Sequence, residues 1–236
     1  MCGRASLTKN QKELEDRFDA KFYSEDIERY KPIPNYNIAP TQYLPVITNT
    51  DLSHFKVFRW GLIPYWAKDA KIAYKLINAR AETLLTKNAF KGSLESRRCI
   101  IPLDGFYEWQ KKGSLKKPFR ITRADKDIFS VAGLWDTWTT KENQIIETFT
   151  IITVKANQLV KNLHNRMPAI LFEDEEKLWI EQGVKTSDAL KLLKPYPPEL
   201  MYAYPVSTKV NNVRNNSPEL ITEVPEINIH QGKLFN

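Results

Sequence analysis

The sequence predicts an α+β fold, a single domain in which a largely antiparallel, barrel-like β-sheet is flanked by several helices. Three observations lead there. Short runs rich in β-branched and aromatic residues recur through the middle of the chain. Helical patterns are confined to the start, to residues 80–91 and to the last third. No internal repeat or long flexible linker divides the 236 residues, and 42% hydrophobic content supports one packed core.

Residues 9–30 carry a helical pattern, with Leu14, Phe18 and Ile27 spaced among charges. Pro32-Ile33-Pro34 ends it, and Asn35-Tyr36-Asn37-Ile38-Ala39-Pro40 reads as extended, irregular chain. Strands are predicted at 44–48 and 55–60, followed by a helix over 80–91 and strand character at 100–102 and 105–109. Residues 119–122, 128–134 and 147–154 are three more predicted strands. Two helices over 173–182 and 187–193 lead into a proline-rich turn at 195–198. The domain spans 2–222, with a tail over 223–236.

Lys and Arg outnumber Asp and Glu, 35 to 28, and a net charge of +7 favours a polyanionic partner. Two cysteines far apart, no CxxC pair and three histidines argue against a structural zinc site and against a disulfide framework, and no cofactor is expected. The start lacks the apolar core of a secretion signal, and no apolar run approaches membrane-spanning length. A cytoplasmic protein with reduced thiols is the expectation.

Cys2 carries the sharpest chemistry. Methionine aminopeptidases remove Met1 when the second residue is small, which would leave an α-amine and a thiol on adjacent carbons. With ordinary pKa values of ~7.7–8.0 and ~8.5, both groups are partly deprotonated near neutrality. An aldehyde meeting that pair forms an imine, which the sulfur closes into a five-membered thiazolidine. Attack of the thiolate on an amide, with the amine as base, is the alternative. A third reading makes Cys2 the second residue of a buried first strand, in a single-strand-binding module without catalysis. Cys99, inside Arg98-Cys99-Ile100-Ile101-Pro102, reads as core.

Eight or more segments then occur in a telling order. The chain opens Met1-Cys2-Gly3-Arg4 and continues with Tyr36-Asn37-Ile38-Ala39-Pro40 and Trp60-Gly61-Leu62-Ile63-Pro64-Tyr65-Trp66. Ile77-Asn78-Ala79-Arg80-Ala81-Glu82-Thr83 and Leu103-Asp104-Gly105-Phe106-Tyr107-Glu108-Trp109 follow. Ala132-Gly133-Leu134-Trp135, Thr150-Ile151-Ile152-Thr153, His164-Asn165-Arg166-Met167-Pro168 and Pro205-Val206-Ser207 complete the set. Over residues 2–222 the chain resembles the SOS-response-associated peptidase (SRAP) family of abasic-site processing proteins. That resemblance implies Met1 removal, a thiazolidine between Cys2 and the ring-opened sugar of an abasic site in single-stranded DNA, strand cleavage through an imine, and self-removal of the initiator methionine. It also implies that Asn78, Arg80, Glu108 and His164 complete the site and that Thr153 lies near it. Ala67 stands where some members carry a second tryptophan, a departure that bears on base stacking.

The residue types suit these roles. Glu108, among Phe106, Tyr107 and Trp109, is a general acid/base if apolar neighbours raise its pKa. Asn78 can both donate and accept, and His164 titrates near neutrality. Arg4, Arg80 and Arg166 are candidate phosphate clamps, which carry no sequence information and so suit a lesion defined by a missing base. Trp66 is the candidate stacking residue. Asn37 and Pro40 would shape the loop under Cys2 or the DNA channel. Ser207 and Lys209, with Arg214, would extend a basic rim, while residues 111–117 read as a solvated hairpin tip. His54 and His230 read as surface residues. One copy suffices for one lesion, so a monomer is expected.

Overall fold

A computed structural model describes residues 2–30, 33–113 and 115–225. Strands follow the chain as β1 Ala5–Leu7, β2 Lys21–Phe22, β3 Asn35–Ile38, β4 Tyr43–Thr48, β5 Asp51–Trp60, β6 Asn78–Arg80 and β7 Arg98–Leu103. They continue as β8 Gly105–Lys112, β9 Leu115–Arg123, β10 Phe129–Thr139, β11 Ile145–Lys155, β12 Arg166–Pro168, β13 Ile170–Leu171 and β14 Met201–Pro205. The α-helices are α1 Gln11–Phe18, α2 Ser24–Arg29, α3 Asn88–Ser96, α4 Gln158–Lys161, α5 Glu173–Ile180 and α6 Thr186–Lys191.

The expected barrel is present. β5, β4, β7, β10 and β11 pair antiparallel in that order, and β11 closes on β5 in parallel through Thr148 opposite Arg59 and Phe149 opposite Trp60. Each strand sends apolar side chains inward, and Val46, Val57, Ile101, Val131 and Phe149 are fully buried. Trp60 stacks on Phe149 at the seam. Every strand predicted from the sequence is found, most of them longer than predicted.

Two predicted helices are corrected. The 9–30 pattern breaks at Asp19, which takes a left-handed conformation (φ 48°) after α1. Residues 21–22 then pair in parallel with β5, and Phe22 stacks on Phe55 with centroids 4.4 Å apart, so a sheet contact overrides the helical spacing. The 80–91 helix is likewise displaced. Residues 78–80 form β6 against β11, Ala81–Thr83 is a 3-10 turn, and α3 starts only at Asn88.

A second antiparallel sheet, ordered β14-β9-β8-β1-β3, places β1 between two neighbours. The chain crosses from barrel to second sheet at Asp104, between β7 and β8. Asp104 Oδ1 accepts from Ser6 Oγ at 2.7 Å and from Arg120 Nη2 at 2.9 Å, while Oδ2 accepts from the Thr8 amide at 2.7 Å. Arg120 Nη1 donates to the Tyr204 hydroxyl at 2.8 Å, tying in β14. Gly105 leaves room for this cluster, because a Cβ there would lie 2.6 Å from Arg120 Nε and 2.8 Å from Ser6 Oγ. The short first strand is thus held by a buried, fully bonded ion pair.

Removing one partner of such a pair strands the other charge in the interior. Arg120→Met should therefore cost about 3–5 kcal/mol in urea unfolding. A loss below about 1 kcal/mol would show that the cluster does not hold β1.

Candidate functional site

A cleft of about 380 Å³ opens among Glu108, Trp109, Lys111, Lys116, His164 and Asn211. Glu108, Trp109 and Lys111 come from β8, and Lys116 faces Lys111 across the β8–β9 hairpin. His164 lies between α4 and β12, and Asn211 ends the 3-10 turn Thr208–Asn211. The indole of Trp109 donates to Asn211 Oδ1 at 2.8 Å, fixing the rim.

β1 brings the buried Cys2 next to Glu108, one of the residues that line this cleft. Ala5 pairs with Phe106, and the Tyr107 amide donates to the Arg4 carbonyl at 2.9 Å, so the chain ahead of β1 runs antiparallel along β8 toward Glu108. Asn78, at the start of β6, donates from Nδ2 to the Cys2 carbonyl at 2.8 Å. Asn78 Oδ1 is buried and has no hydrogen-bond partner among the described residues. Met1 itself lies outside the described residues.

Burial dominates the electrostatics. The Cys2 thiol is fully buried, and burial together with the neighbouring Glu108 carboxylate pushes its pKa well up. An ordinary, partly ionised cysteine is the expectation from the sequence; burial in the fold shifts this thiol toward its protonated form. Burial also raises Glu108 above the usual carboxylate range, as its apolar neighbours suggested. For His164, burial and then the nearby Lys111 and Arg166 charges lower the pKa. Its Nδ1 accepts the Arg166 amide at 3.0 Å, so the neutral ring carries its proton on Nε2. All three groups are biased toward their neutral forms.

The proposed DNA contacts are placed unevenly. Arg4 is half-buried, and its Nη1 donates to Asn37 Oδ1 and to the Val210 carbonyl, both at 2.6 Å. Asn37 is buried and donates on to the carbonyls of Val210, Asn212 and Asn215, so the two residues seat the 207–216 loop as a wall of the cleft. Pro40 is half-buried ahead of Thr41, whose φ of 78° turns the chain into β4. Arg80 is exposed at the end of β6. Thr153 is buried in β11 and Arg166 in β12, the latter ion-paired to Glu82. Ser207 Oγ accepts the Lys209 amide at 3.3 Å, and Lys209 Nζ pairs with Glu219. Trp66 is 48% exposed beside Tyr65 and borders a separate cavity of about 440 Å³ with Lys68, Lys71 and Lys75.

Cys2, Asn78, Glu108 and His164 therefore come together, with Arg4 and Asn37 as their support, whereas Trp66 lies apart from that cleft. Residues 111–117 do span a hairpin tip, but Lys111 and Lys116 border the cleft and are more than a solvated loop. Asn211 and Glu82 were also missed: neither residue type nor local spacing marks Asn211, and Glu82 stood in a motif without a role. His54 bonds Asp51 and stacks on Tyr23 at the surface, Cys99 is core, and His230 lies outside the described residues.

Residues 1–213 match the family model described as SOS response associated peptidase (SRAP). The chain is 44% identical, over 94% of its own length and 99% of the relative's, to the abasic site processing protein YoqW of Bacillus subtilis. It is 36% identical, over 84% of its length and 68% of the relative's, to the abasic site processing protein HMCES of Xenopus tropicalis. Among solved structures it superposes on a Bacteroides thetaiotaomicron protein with a TM-score of 0.89 and 30% identity, covering 95% of this chain and 100% of that one.

A carboxyl whose pKa is raised by folding makes the native state bind more protons than the unfolded chain, so stability falls as pH rises through its range. Glu108→Gln should therefore melt higher than the wild type at pH 8, by about 2–4 °C for each kcal/mol relieved. The difference should shrink as pH is lowered through the carboxyl range. A difference that does not change with pH would contradict the burial argument.

Proposed function

The chain belongs to the SOS response associated peptidase (SRAP) family, and from that premise we propose that it processes abasic sites, binding single-stranded DNA and capturing the lesion covalently on Cys2. The observation that carries this reading is that Cys2, bonded to Asn78, lies next to Glu108, which lines one cleft with His164.

Once Met1 is removed, the α-amine of Cys2 attacks the aldehyde carbon of the ring-opened abasic sugar. The carbinolamine loses water to form an imine, and a protonated Glu108 supplies the proton that lets the hydroxyl depart, becoming the carboxylate that the next step uses. The Cys2 thiol then gives up its proton, for which Glu108 is a matched acceptor. Its sulfur bonds to the imine carbon, and the nitrogen takes a proton to complete the thiazolidine. Asn78 holds the Cys2 carbonyl, so amine and thiol present themselves to the cleft in a fixed orientation.

The same imine acidifies the adjacent sugar carbon, and loss of a proton to His164 with departure of the 3′-phosphate would cleave the strand. Self-processing fits the same thiol: the Cys2 sulfur attacks the Met1 carbonyl, the amide nitrogen leaves with a proton, and water hydrolyses the thioester. Lys111 and Lys116 at the cleft, and Trp66 with its lysines at the separate second cavity, are two candidate patches for phosphates and stacked bases. Among the described residues no helix is long and apolar enough to cross a membrane. We place the protein in the cytoplasm with the DNA, acting as a monomer.

Purified protein mixed with a single-stranded oligonucleotide bearing one abasic site should give a heat-resistant, slow-migrating band on a denaturing gel. Cys2→Ala should abolish it, and Glu108→Gln should slow its formation by about 10²-fold or more. Intact mass read alongside establishes that Met1 is absent. No band with protein lacking Met1 would overturn the capture mechanism.

A further inference from the structure

Arg166 is 8% exposed, yet its guanidinium sits just behind a residue that faces solvent. Its Nη1 donates to Glu82 Oε1 at 2.7 Å and its Nη2 to Oε2 at 2.9 Å, a two-pronged grip. Nη2 also donates to the Thr153 carbonyl, while Nε is buried with no partner among the described residues. The Glu82 side chain is 46% exposed against 10% for that of Arg166. The carboxylate therefore covers the guanidinium as a plug covers a socket.

The surroundings are cationic. Lys155 pairs in register with Arg166 and is exposed, and Arg80, also exposed, pairs in register with Thr153. The Arg166 amide donates to His164 Nδ1, which puts the socket beside the catalytic cleft. Two oxygens of a phosphodiester meet a guanidinium with the same parallel geometry as a carboxylate.

We propose that Glu82 is a built-in competitor of DNA phosphate: it occupies Arg166 in the free protein and swings into solvent when a phosphate of the bound strand takes its place. This rests on the reading that the cleft binds single-stranded DNA. Exchange of one anion for another yields little net affinity, so undamaged strands are held loosely. Residence then depends on the covalent bond at Cys2, which only a lesion can supply.

The test is fluorescence anisotropy of an undamaged oligothymidylate across a NaCl titration, with wild type, Glu82→Gln, Glu82→Asp and the pair Glu82→Gln/Arg166→Gln. Glu82→Gln should bind about 3–10-fold more tightly at low salt, with a log–log salt slope close to that of the wild type, because the same Arg166–phosphate contact forms in both. Glu82→Asp retains the charge but is one methylene too short for the two-pronged grip, and should show part of the gain. The gain should vanish when Arg166 is also replaced. Unchanged or weaker binding by both Glu82 variants, or a gain that survives loss of Arg166, would overturn the proposal. A wild type that fails to bind the oligonucleotide at any salt would instead overturn the DNA-binding reading itself.

Discussion

The buried Asp104–Arg120 pair is the constraint on which the site depends. β1 is three residues long, too short to hold its place by ladder hydrogen bonds alone. What keeps it between β8 and β3 is an ion pair whose remaining lone pairs and protons are satisfied by Ser6, Thr8 and Tyr204. A pair satisfied in this way sets register as well as stability, because a slip of one residue would face Ser6 away from the carboxylate. Register is what the chemistry needs: with Ala5 opposite Phe106, the residues ahead of β1 run beside Glu108. Asn78, carried on a strand that belongs to the barrel, then bonds the Cys2 carbonyl from the other side. The two sheets meet at Cys2.

Placing a thiol and a carboxyl together in a dry pocket costs stability, and that cost is informative. Burial drives Cys2, Glu108 and His164 toward their neutral forms. Burying a carboxyl at position 108 carries a desolvation cost that an apolar side chain would not. A fold that retains such a group at a cleft is arranged for proton transfer more readily than for stability.

Much of this was legible in the sequence. The strands were visible as β-branched and aromatic runs, and the four residues of the cleft stood in distinctive motifs. What could not be read was where local pattern yields to a distant partner. Residues 21–22 look helical until β5 and Phe55 are beside them, and a helix read from residue 80 onward gives way where β11 offers a ladder to residues 78–80. Charge carried the same ambiguity. Arg4, Arg80 and Arg166 are alike in sequence, but one is bonded to Asn37 and Val210, one is exposed, and one is plugged by Glu82. The state of the Cys2 thiol was hidden for the same reason, since burial is a property of the fold.

A lesion defined by a missing base offers a binding protein little to read except an aldehyde and a backbone common to all DNA. Tight backbone binding would distribute the protein over undamaged strands, in proportion to their great excess. On the proposed reading discrimination comes from the covalent step, and non-covalent contacts serve best when they are weak and quickly reversed. Exposed lysines near Trp66 and Lys111 and Lys116 at the cleft supply screened, long-range attraction of that kind. The strongest potential phosphate clamp beside the cleft, Arg166, is instead closed by a carboxylate. On this view the +7 charge brings strands to the surface, the plugged arginine keeps them from staying, and only an aldehyde that reaches Cys2 is retained.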